Sequence, residues 1–154
     1  MSKEIQTMED LFEHLLQDMY FAEKKITKAL PKMAKKATNP ELQKGFETHL
    51  KETEEQIANL EKVFEITDTK KKGEKCEAIL GLIEEGEGLM KEAEKGEVLD
   101  EALIAAAQKV EHYEIASYGT LLNLANKLGY KKAMPYIEKI LDQEKSTDVK
   151  LSKM

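Results

Sequence analysis

Apolar residues recur at helical spacing through almost the whole chain, and the pattern breaks at three places of very unequal length. From Met8 to Lys36 the repeat runs through Leu11, Phe12, Leu15, Leu16, Met19, Ala22, Ile26, Ala29, Leu30 and Met33, which is one face of a long helix. Thr38, Asn39 and Pro40 then supply a stop, a capping residue and a proline at the first turn of the next helix. The second helix carries Leu42, Phe46, Ile57, Leu60, Val63 and Phe64 on its face. A third starts near Asp100, read as its N-cap, and runs to Lys127 with Gly129 as its stop. The fourth runs from about Lys131 to near the end of the chain and turns Ile137, Ile140, Leu141 and Leu151 inward.

The break between the second and third helices is different in kind. "TDTKKKGEKC", Thr67 to Cys76, ends the periodicity, and "CEAILGLIEEGEGLMKEAEKG" resumes it only as a short amphipathic stretch weakened by Gly81, Gly86 and Gly88. Short connections make antiparallel neighbours, whereas a crossover of roughly thirty residues can travel the length of a bundle. The expected fold is therefore all-α: a four-helix bundle with a long crossover that contains a short extra helix, residues 1–154 forming one domain.

Composition narrows the function classes. Charged residues make up 35% and hydrophobic ones 41%, with no Trp, a balance that suits a helical protein. All 24 basic residues are Lys, and the net charge is −6. Bidentate reading of phosphates or guanine edges relies on the guanidinium fork, so sequence-specific nucleic-acid binding is not expected. Cys76 is the single cysteine, which excludes an internal disulfide and fits a reducing compartment. Residues 1–20 lack a signal-type apolar core, and no apolar run approaches the ~18 residues of a membrane span. The expectation is a cytoplasmic protein with no membrane contact.

Acids interrupt the inward faces at mid-helix. Glu23 shares a stripe with Phe12, Leu16, Met19, Ile26 and Leu30, while His49 and Glu52 continue the stripe of Leu42, Phe46, Gln56 and Leu60. Glu111, Glu114 and Tyr118 fall between Ala107 and Leu121, and Glu144 and Asp148 fall between Leu141 and Leu151. On antiparallel helices, residues equally far from the turn face each other. Counting from the turns puts Glu23 within a turn of Glu52, Glu114 level with Glu144, and Glu111 level with Asp148. Both sets lie about fifteen residues from their turns, roughly 23 Å along the axis. If the crossover puts the two turns at opposite ends, the sets meet at mid-height.

Four or more carboxylates cannot share a low-dielectric core as bare anions, because each desolvated charge costs several kcal/mol and they repel one another. A cation or protons must accompany them. Carboxylate oxygens with an imidazole suit iron or manganese, and paired Glu with Glu-x-x-His sets are how di-iron carboxylate bundles hold two metals. Here the spacing departs from that pattern: helix two reads His49-x-x-Glu52, in reversed order, and Glu144-x-x-x-Asp148 has no His. His112 points about 100° away from Glu111 and faces another neighbour. Asp18 lies about 140° around the helix from Glu23, so Asp18, Tyr118 and His112 are candidates for supporting rather than ligating roles. Against the metal reading stands a bland one, in which the acids lie on solvated faces or pair with Lys and the chain is a metal-free helical scaffold.

The segments "LFEHLLQDMYFAEKKITKALPKMAKKATNPEL", "HLKETEEQIANLEKVF", "KCEAILGLIEEG" and "AAQKVEHYEIASYGTLLNLANKLG" resemble the YciF-like proteins, a bacterial branch of the ferritin-like superfamily. The resemblance extends from Met8 to about Leu151. It implies a ferritin-like bundle, association as a homodimer, an iron-binding dimetal centre and a link to bacterial stress responses. The family's motif acids fall on Asp18 and Glu23, His49 and Glu52, Glu111 and Glu114, and Glu144 and Asp148. The resulting expectation is a nonhaem centre of two iron ions, with manganese as the alternative, open to dioxygen or peroxide.

Overall fold

The computed structural model describes residues 4–154, which form five helices: α1 (Met8–Lys36), α2 (Pro40–Thr67), α3 (Glu77–Glu92), α4 (Glu97–Leu128) and α5 (Met134–Ser152). Each boundary has a local cause. Thr7 caps α1 through the Asp10 amide, and Asp10 returns the bond to the Thr7 amide. Asn39 caps α2 through the Glu41 amide with Pro40 at the first position, and α2 ends where Asp68 turns left-handed at φ 52°. Gly129, at φ 76°, closes α4.

One boundary differs from the sequence expectation. α4 begins at Glu97 rather than at Asp100, because Gly96 adopts φ 107°, a turn open to a residue without Cβ, and its carbonyl accepts from the Asp100 amide at 3.0 Å. Asp100 instead ties down the turn between α1 and α2. Its carboxylate accepts from the Thr38 amide and hydroxyl, both at 2.7 Å, and from the Asn39 amide at 3.1 Å. These bonds outweigh the effect of burial and hold its pKa below the usual value. Asp100→Ala should cost about 1–2 kcal/mol in urea denaturation at pH 7, since several charge-assisted bonds vanish and two amides near the start of α2 lose their partner.

That bond also fixes the topology. The start of α4 lies at the turn between α1 and α2, which we take as the upper end, while at the lower end the rings of Phe12 and Tyr130 stack tilted with centroids 5.2 Å apart. Midway, the Tyr118 hydroxyl donates to Glu23. Residue numbers thus rise on α1 as they fall on α4, and the two turns sit at opposite ends. α5 runs antiparallel to α2, as the approaches of Gln56 to Gln143 and of His49 to Thr147 require. The crossover makes this possible: Glu74 and Lys70 bond Gln17 of α1, Gly73 lies against Phe21, and α3 then climbs along α4. Cys76, at the start of α3, is buried with Sγ 3.0 Å from the Tyr113 hydroxyl.

The result is a four-helix bundle of α1, α2, α4 and α5, with α3 laid across α1 and α4. Its core runs from Phe12 and Phe64 at the lower end through Tyr118 to Leu42 and Leu103 above. Among the described residues no helix is long and apolar enough to cross a membrane.

Candidate metal centre

Each of the four bundle helices delivers an ionisable side chain to the same depth. Glu23 comes from α1, His49 from α2, Glu111 and Glu114 from α4, and Glu144 from α5, all buried. One ligand atom each from His49, Glu111, Glu114 and Glu144 can be chosen so that all lie within 4.8 Å of one another. The heptad-like interval from Glu111 to Tyr118 and the three-residue step from Glu111 to Glu114 keep these groups on one face of α4.

His49 is the hub. Its Nε2 lies 2.8 Å from Glu111 Oε1 and 3.8 Å from Glu144 Oε2, while Nδ1 lies 3.5 Å from Glu52 Oε2 and 3.4 Å from the Thr147 hydroxyl. At 2.8 Å the imidazole and the Glu111 carboxylate form an ion pair whenever His49 is protonated. Thr53, fully buried one turn on, donates to the His49 carbonyl and fixes that stretch of α2.

The carboxylates are poorly satisfied. Both oxygens of Glu114, both of Glu144, Oε2 of Glu111 and Oε2 of Glu23 are buried without hydrogen-bond partners. Burial, joined by the charge of Glu144, pushes the Glu23 carboxyl up to about 8. Burial likewise lifts Glu144 to about 8, with Glu111 adding to the rise, and raises Glu114 well above the usual range, with Glu144 and Glu23 beside it. Burial opposes a charge on His49, but contacts with Glu111 and Glu52 outweigh it and hold the imidazole well above its ordinary value. Glu52, half-buried at the edge, is held low chiefly by His49.

Tyr118 completes the tier. Fully buried, it donates to Glu23 Oε1 at 3.0 Å, and burial keeps the phenol protonated far above its usual range. The remaining sequence candidates lie outside the four-residue cluster. Asp148, level with Glu111, turns away to lie 3.1 Å from His112 Nε2 and to accept from Gln108 at 3.3 Å, because four residues beyond Glu144 the helix has rotated it about 40° towards solvent. His112 is exposed, and Glu111 instead meets His49 across the bundle. Asp18 pairs with His14 at 3.5 Å near the crossover, and burial raises its carboxyl, which the His14 charge opposes and Glu74 reinforces. Thr147 was not among the candidates; its only sequence signal is its place one turn after Glu144.

A ring of carboxylates and one imidazole, poor in hydrogen bonds and without a lysine partner among the described residues, has the donor chemistry of a hard to borderline divalent metal. The cluster could hold such an ion.

Comparison with known proteins places this chain in a family. Residues 7–154 match the model described as "Domain of unknown function (DUF892)". The chain is 52% identical over 149 residues to protein YciF of Escherichia coli strain K12, covering 96% of this chain and 90% of that one. The crystal structure of the E. coli stress protein YciF superimposes with a TM-score of 0.94 at 51% identity, over 97% of this chain and 94% of that one. YcfI from Rhodopseudomonas palustris gives 0.95 at 48% identity, over 100% and 98%. A Xanthomonas campestris protein shares the fold at 24% identity, with a TM-score of 0.76 over 96% of this chain and 90% of that one. On a family match that spans nearly its whole length, the chain belongs to the DUF892 family, which includes YciF.

Proposed function

We propose that this protein is a nonhaem dimetal carboxylate protein of the bacterial stress response, ferritin-like in architecture, that binds two iron ions, with manganese as the alternative. One observation carries the reading: His49, Glu111, Glu114 and Glu144 converge within 4.8 Å in the buried centre of the bundle, several of their polar atoms without hydrogen-bond partners. Such an arrangement costs stability unless protons or a cation neutralise it, and a cation satisfies all of its donor atoms together. Glu23, next to Glu114 and held by Tyr118, is the residue from which a second ion would draw, with Glu52 at the edge beside His49. When bound, the metal pair would supply redox chemistry towards dioxygen or peroxide. The chain's own part is to exclude water, to orient His49 through Thr147 and Glu52, and to hold a proton between Tyr118 and Glu23.

The E. coli relative is a stress protein, which supports the physiological half of the proposal. The proposal extends to a cytoplasmic homodimer. Elemental analysis of protein purified from iron-supplied cells should find about two equivalents of iron or manganese, and less than about a tenth of an equivalent would overturn the reading. Metal-loaded protein should also consume peroxide, and a Glu114→Ala variant should not.

The rival is a metal-free scaffold, in keeping with the provisional description of the R. palustris relative as a structural protein. It asks that the inner acids meet solvent or lysine, whereas Glu23, Glu111, Glu114 and Glu144 are buried without lysine partners among the described residues. Unchanged stability on chelation would favour it.

A further inference from the structure

The bundle is unevenly filled. Below the ligand tier Leu16, Leu60, Leu121 and Ile137 are packed to full burial. Above it lies a cavity of about 250 Å³ bordered by all five helices. Small residues leave the space, among them Ala29 on α1, Gly45 on α2, Gly86 on α3 and Ala107 on α4. A buried apolar space of about 150 Å³ holds benzene, so by proportion this one takes about ten non-hydrogen atoms, the size of two fused rings.

The lining describes the occupant further. Its rim selects no charge: Glu41, Glu52 and Glu87 stand beside Lys32, Lys44 and Lys150, and Lys32 and Glu87 already lie 3.9 Å apart. Apolar walls behind that mixed rim make any charge costly to bring inside, which leaves a neutral molecule. Met33, Met90 and Met154 bring three thioethers to those walls and Phe46 brings a ring, and both groups gain more from an aromatic neighbour than from a saturated one. The floor adds a single requirement. Glu111 borders the cavity with Oε1 engaged by His49 at 2.8 Å, while its Oε2 is buried without a hydrogen-bond partner. A buried acceptor in that state calls for a donor.

We propose that the upper cavity binds a neutral two-ring aromatic molecule carrying one N–H or O–H, its rings among the methionines and its donor on Glu111 Oε2. A carboxylate that holds a metal through one oxygen can still accept at the other, and the test uses metal-free protein, so its outcome stands apart from that of the dimetal reading. The chain has no Trp, so bound indole and naphthalene can be read by their own fluorescence, with benzene and decalin read by displacement. At pH 7 the metal-free, full-length protein should bind indole, and should bind naphthalene at least about tenfold more tightly than benzene, which leaves part of the space empty. The charged analogues 2-naphthoate and N-methylquinolinium should bind at least about tenfold more weakly than naphthalene. Glu111→Leu should weaken indole about tenfold and leave naphthalene within about twofold, because only indole loses a bond to a charged acceptor. Met33→Leu combined with Met90→Leu should weaken naphthalene several-fold and spare decalin. Gly45→Leu, whose Cβ meets Met154 Cε at an ordinary 3.4 Å, and Ala107→Leu fill the space from different walls. Each should weaken indole at least about tenfold, with an unchanged melting temperature showing that the variant folds. Absence of indole binding, wild-type affinity in folded Gly45→Leu or Ala107→Leu, or charged analogues that bind as tightly as naphthalene would overturn the proposal. So would equal losses of indole and naphthalene in Glu111→Leu, or equal losses of naphthalene and decalin in the methionine variant.

Discussion

Raising the pH from about 5 to 8 should cost the metal-free protein about 3 kcal/mol in urea denaturation, the reverse of what carboxylates usually do. The sign follows from the direction of the shifts. Glu23 and Glu144 hold their protons up to about 8 in the folded state, against 4.5 ordinarily. In that interval the native state binds more protons than the unfolded one, so stability is full below the ordinary carboxylate range and drains away as pH climbs. His49 acts in the same direction above its ordinary value, because its folded pKa is also raised. One carboxyl displaced from 4.5 to about 8 is worth at most about 5 kcal/mol, and the acids titrate as a group, so their effects do not add. Below about 4.5 the trend should turn over, as Glu52 and Asp100, both held low, lose the charges their partners require. Metal should invert the main slope: binding displaces protons, so protein saturated with iron(II) or manganese(II) should gain stability over the same pH interval. A flat profile without metal would mean that the acids are solvated and the centre is not built as described.

Glu114→Leu should stabilise the metal-free protein by about 2–3 kcal/mol at pH 8 and lower metal affinity at least about 100-fold. Glu114 is fully buried, neither oxygen has a hydrogen-bond partner, and Glu144 and Glu23 raise its cost further. Leucine removes both of the unpartnered oxygens at this position and the repulsion they bring to Glu144 and Glu23. Stability gained where binding is lost would mark Glu114 as retained for a ligand rather than for the fold. A variant that unfolds more easily than wild type in the absence of metal would refute this account of the centre's energetics. Urea titration with and without added metal separates the two effects.

How far the sequence reached can be followed through individual residues. The face and the level of Glu114 and Glu144 were both legible, because two helices joined by a tight turn must run antiparallel with a common origin. Glu111 defeated the same count. Its level was right, but its partner His49 belongs to the other hairpin, and no spacing within the α4–α5 hairpin can disclose a contact that depends on how two hairpins dock. Asp148 failed for a rotational reason, since a residue four past Glu144 keeps the level but drifts off the face. Asp100 had the correct chemistry and the wrong helix: the capping carboxylate was visible, its target across the bundle was not.

The tie between Asp100 and Thr38 has a kinetic meaning as well. Each hairpin is held by contacts close in sequence and can form early, whereas closing the crossover brings together residues 62 positions apart at the upper end. His49 and Glu23 arrive with one hairpin, Glu111, Glu114 and Glu144 with the other. Neither half alone holds the four-residue cluster, so tight metal capture would report the moment at which the hairpins have docked, and the spectrum of a bound ion would serve as a clock for the last step of folding.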